Sequence, residues 1–150
     1  MIIIKEELDL NKNDNLTHRR FPFELNQAFD KIIIKLSYGP RFIPDNQKIE
    51  ILEEAVEKYL SDPIYTDEER RGTLEAKVEN FLTTSLFSQG KFLGAYHNKA
   101  NYQEIIVSKE YSSRGYKKHE INPGNYELVL SMHSCNCNVK ANLSLEAIND

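Results

Sequence analysis

Residues 31–38, KIIIKLSY, put Ile32, Ile34, Leu36 and Tyr38 on one side of an extended chain and Ile33, Lys35 and Ser37 on the other. A period of two carried by β-branched residues specifies a strand with one buried face. The same pattern returns at 126–133, YELVLSMH, directly after the turn signal NPGN (122–125). Tyr126, Leu128, Leu130 and Met132 are expected to face inward, and Glu127, Val129, Ser131 and His133 outward. A chain with two such segments must find apolar faces to cover both of them.

Weaker strand signals fill most of the remainder. Ile2 to Leu10 reads as a strand with a charged second half, followed by the polar turn NKNDN at 11–15. In RFPFEL, Phe21, Phe23 and Leu25 alternate around Pro22, which suits an edge strand or a strand start. Further strands are expected at 78–87, 92–97, 102–109, 116–121 and 139–145, with SQGK (88–91) as a turn. One stretch changes period. Ile49, Leu52, Val56, Tyr59 and Leu60 form a stripe at helical spacing, with Asp45 or Asn46 as cap and Asp62-Pro63 as terminator. Residues 64–76 read as a charged excursion, partly helical at best. The sum is an all-β antiparallel β-sandwich of jelly-roll or Greek-key type. It has seven to eight strands and one amphipathic helix inserted near 47–60. At 150 residues the chain is expected to be one domain.

Charge and cysteine usage narrow the function. The net charge is −4 and the pI near 5.6. No basic stripe stands out, so nucleic acid is not an expected partner. No apolar run approaches the roughly 20 residues of a membrane-spanning helix, and the short MIIIKEELDL start lacks the cationic region of a signal peptide. The two cysteines lie two positions apart, where a disulfide would be strained and would constrain little chain. Free thiols in a cytoplasmic protein are the expectation.

HSCNC, residues 133–137, raises the question of a metal. His133, Cys135 and Cys137 are good zinc ligands in an i, i+2, i+4 pattern. On a regular strand that pattern spans about 13–14 Å, whereas donors must lie within about 2–2.3 Å of one zinc. The segment is therefore read as a hairpin turn joining 126–133 to 139–145, with metal binding as the alternative. No cation or helix N-terminus is placed nearby to activate either thiol. The acidic run on the helix and after it reads as a solvated face. No phosphate-binding glycine loop occurs, and no cofactor is expected.

Aromatic residues offer a different lead. Phe92, Tyr96, Tyr102, Tyr111 and Tyr116 crowd a stretch dense in polar side chains. Tyr96, His97, Arg114 and Tyr116 are the candidate ligand-binding residues, since exposed rings and polar neighbours can hold a sugar. The same rings would otherwise cover the sandwich ends.

Residues 105–133, IIVSKEYSSRGYKKHEINPGNYELVLSMH, carry a family likeness, as does FPFELNQAFDKIIIKLSY earlier. Arg114-Gly115-Tyr116 and Pro123-Gly124-Asn125-Tyr126 are its most specific pieces. Over about half its length the chain resembles the N-terminal accessory β-sandwich of bacterial PHP-type metallohydrolases. In that family a phosphoesterase domain follows, whose metal ligands begin with a His-x-His pair. Here the chain stops at Asp150 without such a pair, and the segment at 47–60 looks like an insertion. The resemblance implies an accessory domain without catalysis of its own. The expected function is thus a non-catalytic module binding a partner protein or a small polar ligand. A carbohydrate-binding sandwich and a small metal-binding protein using His133, Cys135 and Cys137 are the alternatives. Homodimerisation through an uncovered sheet edge is compatible with each.

Overall fold

All but one of the expected strands form in the computed structural model, which describes residues 1–150. The strands are β1 (Ile2–Leu10), β2 (His18–Leu25), β3 (Lys31–Gly39), β4 (Phe81–Ser88), β5 (Lys91–Ala95), β6 (Tyr102–Ser108), β7 (Gly124–Ser134) and β8 (Val139–Ile148). They make two four-stranded sheets, ordered β1-β8-β3-β6 and β2-β7-β4-β5, with every pair antiparallel. Only β4 and β5 are joined as a hairpin. Gln89 and Gly90 both take positive φ there, as a two-residue primed turn requires. Every other connection passes between the sheets. This is the jelly roll.

The core lies between the sheets and follows the alternation. Ile32, Ile34 and Leu36 of β3 face Leu128 and Leu130 of β7 and Leu82 and Leu86 of β4, all fully buried. Twenty-seven buried residues form one apolar cluster. At about 25 cal/mol per Å² of apolar surface removed from water, burial on that scale is the main force holding the sheets together.

Three expectations need correction. Residues 133–138 are not a hairpin turn, because β7 and β8 belong to different sheets. The chain crosses from one sheet to the other there, with Cys135 and Cys137 buried at the crossing. Residues 116–121 form no strand. The irregular segment 109–121 makes isolated bridges, Val107 to Ser112, Gly94 to Tyr116 and Phe29 to Ile121. It thereby covers the open edges of both β6 and β5. On the opposite side of the sandwich, β1 and β2 end their sheets with no further strand beside them.

There are two inserted helices, not one. Helix α1 spans Asp45–Tyr59, with Pro44 at its N-cap position and no side-chain cap. Helix α2 spans Asp67–Leu74. Thr66 and Glu69 form a reciprocal capping box at its start, which supplies the nucleation that its weak apolar pattern does not. Both helices lie on an excursion between β3 and β4. The excursion leaves and rejoins the sandwich at a neck, where Ile43 N donates to Val78 O and Asn80 N to Arg41 O. Residues 45–77 carry ten acidic and five basic side chains, so the chain's net negative charge resides here.

Candidate functional site

Two glycines bring the tip of the 109–121 segment against the end of β5. Gly94 has φ +154° and Gly115 φ +85°. A Cβ on Gly115 would stand 2.3 Å from Ala95 O, and one on Gly94 2.4 Å from Gly115 O. Only glycine permits this approach, across which Ala95 N donates to Gly115 O at 3.2 Å. Serines fix the turn. Ser113 Oγ accepts from Ile106 N at 2.8 Å, and Ser112 Oγ donates to Tyr116 O at 2.7 Å.

The tight turn holds Arg114 over Tyr96, with the guanidinium carbon 5.1 Å from the ring centroid. Cation–π contact on an otherwise mobile arginine narrows its range of positions. Arg114 makes no ion pair in the chain. Beside it lies a pocket of about 160 Å³, lined by Tyr96, Asn98, Gln103, Glu104, Ile105, Ser113 and Arg114. Gln103 is buried and its Nε2 lies within 3.0 Å of the carbonyls of Leu82, Asn98 and Ala100. It therefore acts as the internal frame of the 96–101 loop. Asn98 Oδ1 accepts from Ala100 N, which leaves its Nδ2 for a ligand.

The four residues singled out from sequence divide. Tyr96 and Arg114 come together at the pocket. His97 sits on the other side of the same loop, over the outer face of the second sheet. Its ring lies 4.9 Å from that of His133 and 5.8 Å from Phe81. Tyr116 is in the core. Its hydroxyl donates to Thr84 O at 2.8 Å, and burial pushes its pKa up to about 12. No face of that ring is free for a sugar.

A histidine cluster was not legible from residue spacing. His18 of β2 and His133 of β7 lie on neighbouring strands of the β2-β7-β4-β5 sheet, and the loop after β5 brings His97 to His133. His18 Nδ1 lies 2.8 Å from Ser131 Oγ, and His133 Nε2 2.7 Å from Thr83 Oγ1. Burial holds His133 below the usual imidazole range, and repulsion from His97 and His18 adds to this. Register alone carried the signal: His18 pairs with Ser131, and Ser131 pairs with Thr83.

The cysteines point the other way. Cys135 and Cys137 are buried in the interior while His133 faces outward. No group of three or more His, Cys, Asp or Glu side chains is placed to hold a metal ion. Burial raises the Cys135 thiol to about 11, with Asp14 and Cys137 reinforcing the shift. The pair caps the corner between β7 and β8 and is tied there by Asn11, Asn15 and Asn80.

No helix is long and apolar enough to cross a membrane. No family model matches this chain, and neither does any curated protein.

Proposed function

We propose that this chain is a non-catalytic binding module and that the Tyr96–Arg114 pocket receives a small polar ligand. One observation carries the reading: a guanidinium fixed on an aromatic ring, without a counter-ion, at the edge of a pocket with free amide and hydroxyl groups. Arginine in that state recognises planar anionic groups through paired hydrogen bonds. The lining residues supply donors, acceptors and one ring face, and they pair no nucleophile with a base. The resemblance to the accessory sandwich of PHP-type metallohydrolases agrees with a role in docking or substrate shaping. A reducing, cytoplasmic setting fits the two free thiols.

Carbohydrate binding is the second reading. The exposed rings of Tyr102 and Tyr111 favour it, but Arg114 already occupies one face of Tyr96. The test is a ligand panel of sugars, carboxylates and amino acids followed by amide NMR shifts. Shifts at Tyr96, Asn98 and Arg114 that vanish in Arg114→Ala are expected. Silence at these positions across the panel would overturn the reading.

A further inference from the structure

The pocket contains a second charge of opposite sign. Glu104 lines it together with Arg114, and the two do not pair with each other. Glu104 Oε2 has only distant partners, Lys35 Nζ at 4.0 Å and the Tyr102 hydroxyl at 3.4 Å. Its Oε1 makes no hydrogen bond within the chain. The cation and the anion come from different elements. Arg114 rides on the Ser113–Tyr116 turn, and Glu104 on β6. Glu104 and Ile105 are consecutive residues of the edge strand β6, and both line the pocket.

From this arrangement we infer that the ligand is a small zwitterion of the α-amino-acid type. Its carboxylate would meet Arg114 and the Asn98 amide, and its ammonium would meet Glu104. The inference rests on the pocket being the binding site. Size agrees with it. The space is about 160 Å³, below the roughly 300–1,000 Å³ of pockets that take drug-sized molecules, and so suits a small ligand. Charge discriminates further. A simple carboxylate satisfies Arg114 but is repelled by Glu104, and a simple amine satisfies Glu104 but is repelled by Arg114. Rejection of the wrong ligand by a like charge gives specificity even where attraction is modest.

The test titrates the full-length ¹⁵N-labelled chain with L-alanine, and with propionate and ethylamine as its single-charge halves. Glucose serves as a neutral control. L-Alanine is expected to shift the Arg114 Nε, Asn98 Nδ2 and Glu104 signals, with propionate and ethylamine each binding about tenfold or more weakly. Glu104→Gln is expected to bring L-alanine down to the affinity of propionate, and Arg114→Ala to remove both responses. Both side chains are exposed and neither is in the core, so the variants fold. If propionate binds as tightly as L-alanine, the zwitterion is overturned and the pocket stands as an anion site. Shifts with glucose in place of L-alanine would likewise leave only the pocket. No shift with any of the four compounds would overturn the zwitterion; the wider panel then decides the pocket itself.

Discussion

The side-chain amide of Asn80 donates to Cys137 Sγ at 3.2 Å, from the far side of the corner where the chain crosses between sheets. The same amide donates to Pro40 O at 2.9 Å, and its Oδ1 accepts from Asn136 N at 3.1 Å. Asn80 is wholly buried, and its bond to Cys137 Sγ is buried with it. These bonds join three separate pieces of backbone: the end of β3, the entry to β4 and the β7–β8 crossing. Replacing Asn80 by alanine would leave the half-buried Asn136 N and the buried Cys137 Sγ without their partner. Each such group costs about 1–3 kcal/mol. Asn80→Ala is expected to destabilise the fold by at least about 2 kcal/mol, measured by urea denaturation.

The cysteines at that corner should be inert. With its pKa raised from 9.0 to about 11, Cys135 holds roughly a hundredth of the thiolate of an ordinary cysteine. In Cys137→Ser, the remaining thiol is expected to react with a disulfide reagent at pH 8 about a hundredfold more slowly when folded than in urea. Equal rates in the two states would show Cys135 to be open to solvent.

Gly115→Ala tests how the pocket is built. The new methyl would fall 2.3 Å from Ala95 O, on a backbone with φ +85°. The left-handed conformation alone costs an alanine about 1–2 kcal/mol, and the clash adds to it. Loss of about 2 kcal/mol or more is expected in thermal unfolding. Arg114 should also leave the Tyr96 ring, visible as loss of the ring-current shift on its side-chain protons.

The histidine cluster should make stability depend on pH. His133 is held below its ordinary value of 6.5, first by burial and then by His97 and His18. The unfolded chain therefore takes up a proton at a pH where folded His133 still does not. This contribution is complete above about pH 6.5. It is lost as pH falls through that value toward the lower folded pKa, and then levels off. His119, lowered by its own burial, adds to the slope in the same direction. His133→Gln can keep a hydrogen bond to Thr83 and is expected to flatten part of the decline between pH 7.5 and 5.

The helical excursion should be dispensable to the sandwich. Apart from Leu52 its residues are not buried, and Leu52 lies outside the main apolar cluster. A chain in which a short Gly-Ser linker replaces residues 45–77 is expected to keep its cooperative melt and its β-type circular dichroism while losing the helical signal. Loss of cooperative folding would show that the neck at Ile43 and Val78 needs the helices.

The inward faces of β3, β4, β7 and β8 were legible because period two is a local property of the chain. Leu128, Leu130 and Met132 needed no knowledge of partners to be placed. Which sheet each strand joins was not legible. The YELVLSMH and VKANLSL segments look like neighbours in a hairpin, and only the packing of two apolar faces against each other separates them. Helix α2 was hidden for a different reason. Its capping box, Thr66 to Glu69, was present in the sequence, but no apolar stripe drew attention to it. In the candidate site, Tyr96 and Arg114 were singled out because aromatic rings crowd a stretch dense in polar side chains. Glu104 was not, because an acidic residue on a strand looks like ordinary solvent-facing polarity. Tyr116 was misread as a surface ring because Gly94 and Gly115 draw it inward through a contact distant in sequence.

Met1 donates from its amino group to Ala147 O at 2.9 Å, since β1 and β8 are antiparallel neighbours in one sheet. Entry and exit of the chain therefore lie close together at one end of the sandwich. A domain built this way can be spliced into a surface loop of another protein with little separation of the two splice points. Equally, its ends can be joined by a few residues and new ends opened between the two inserted helices, which would reorder the sequence without reordering the fold.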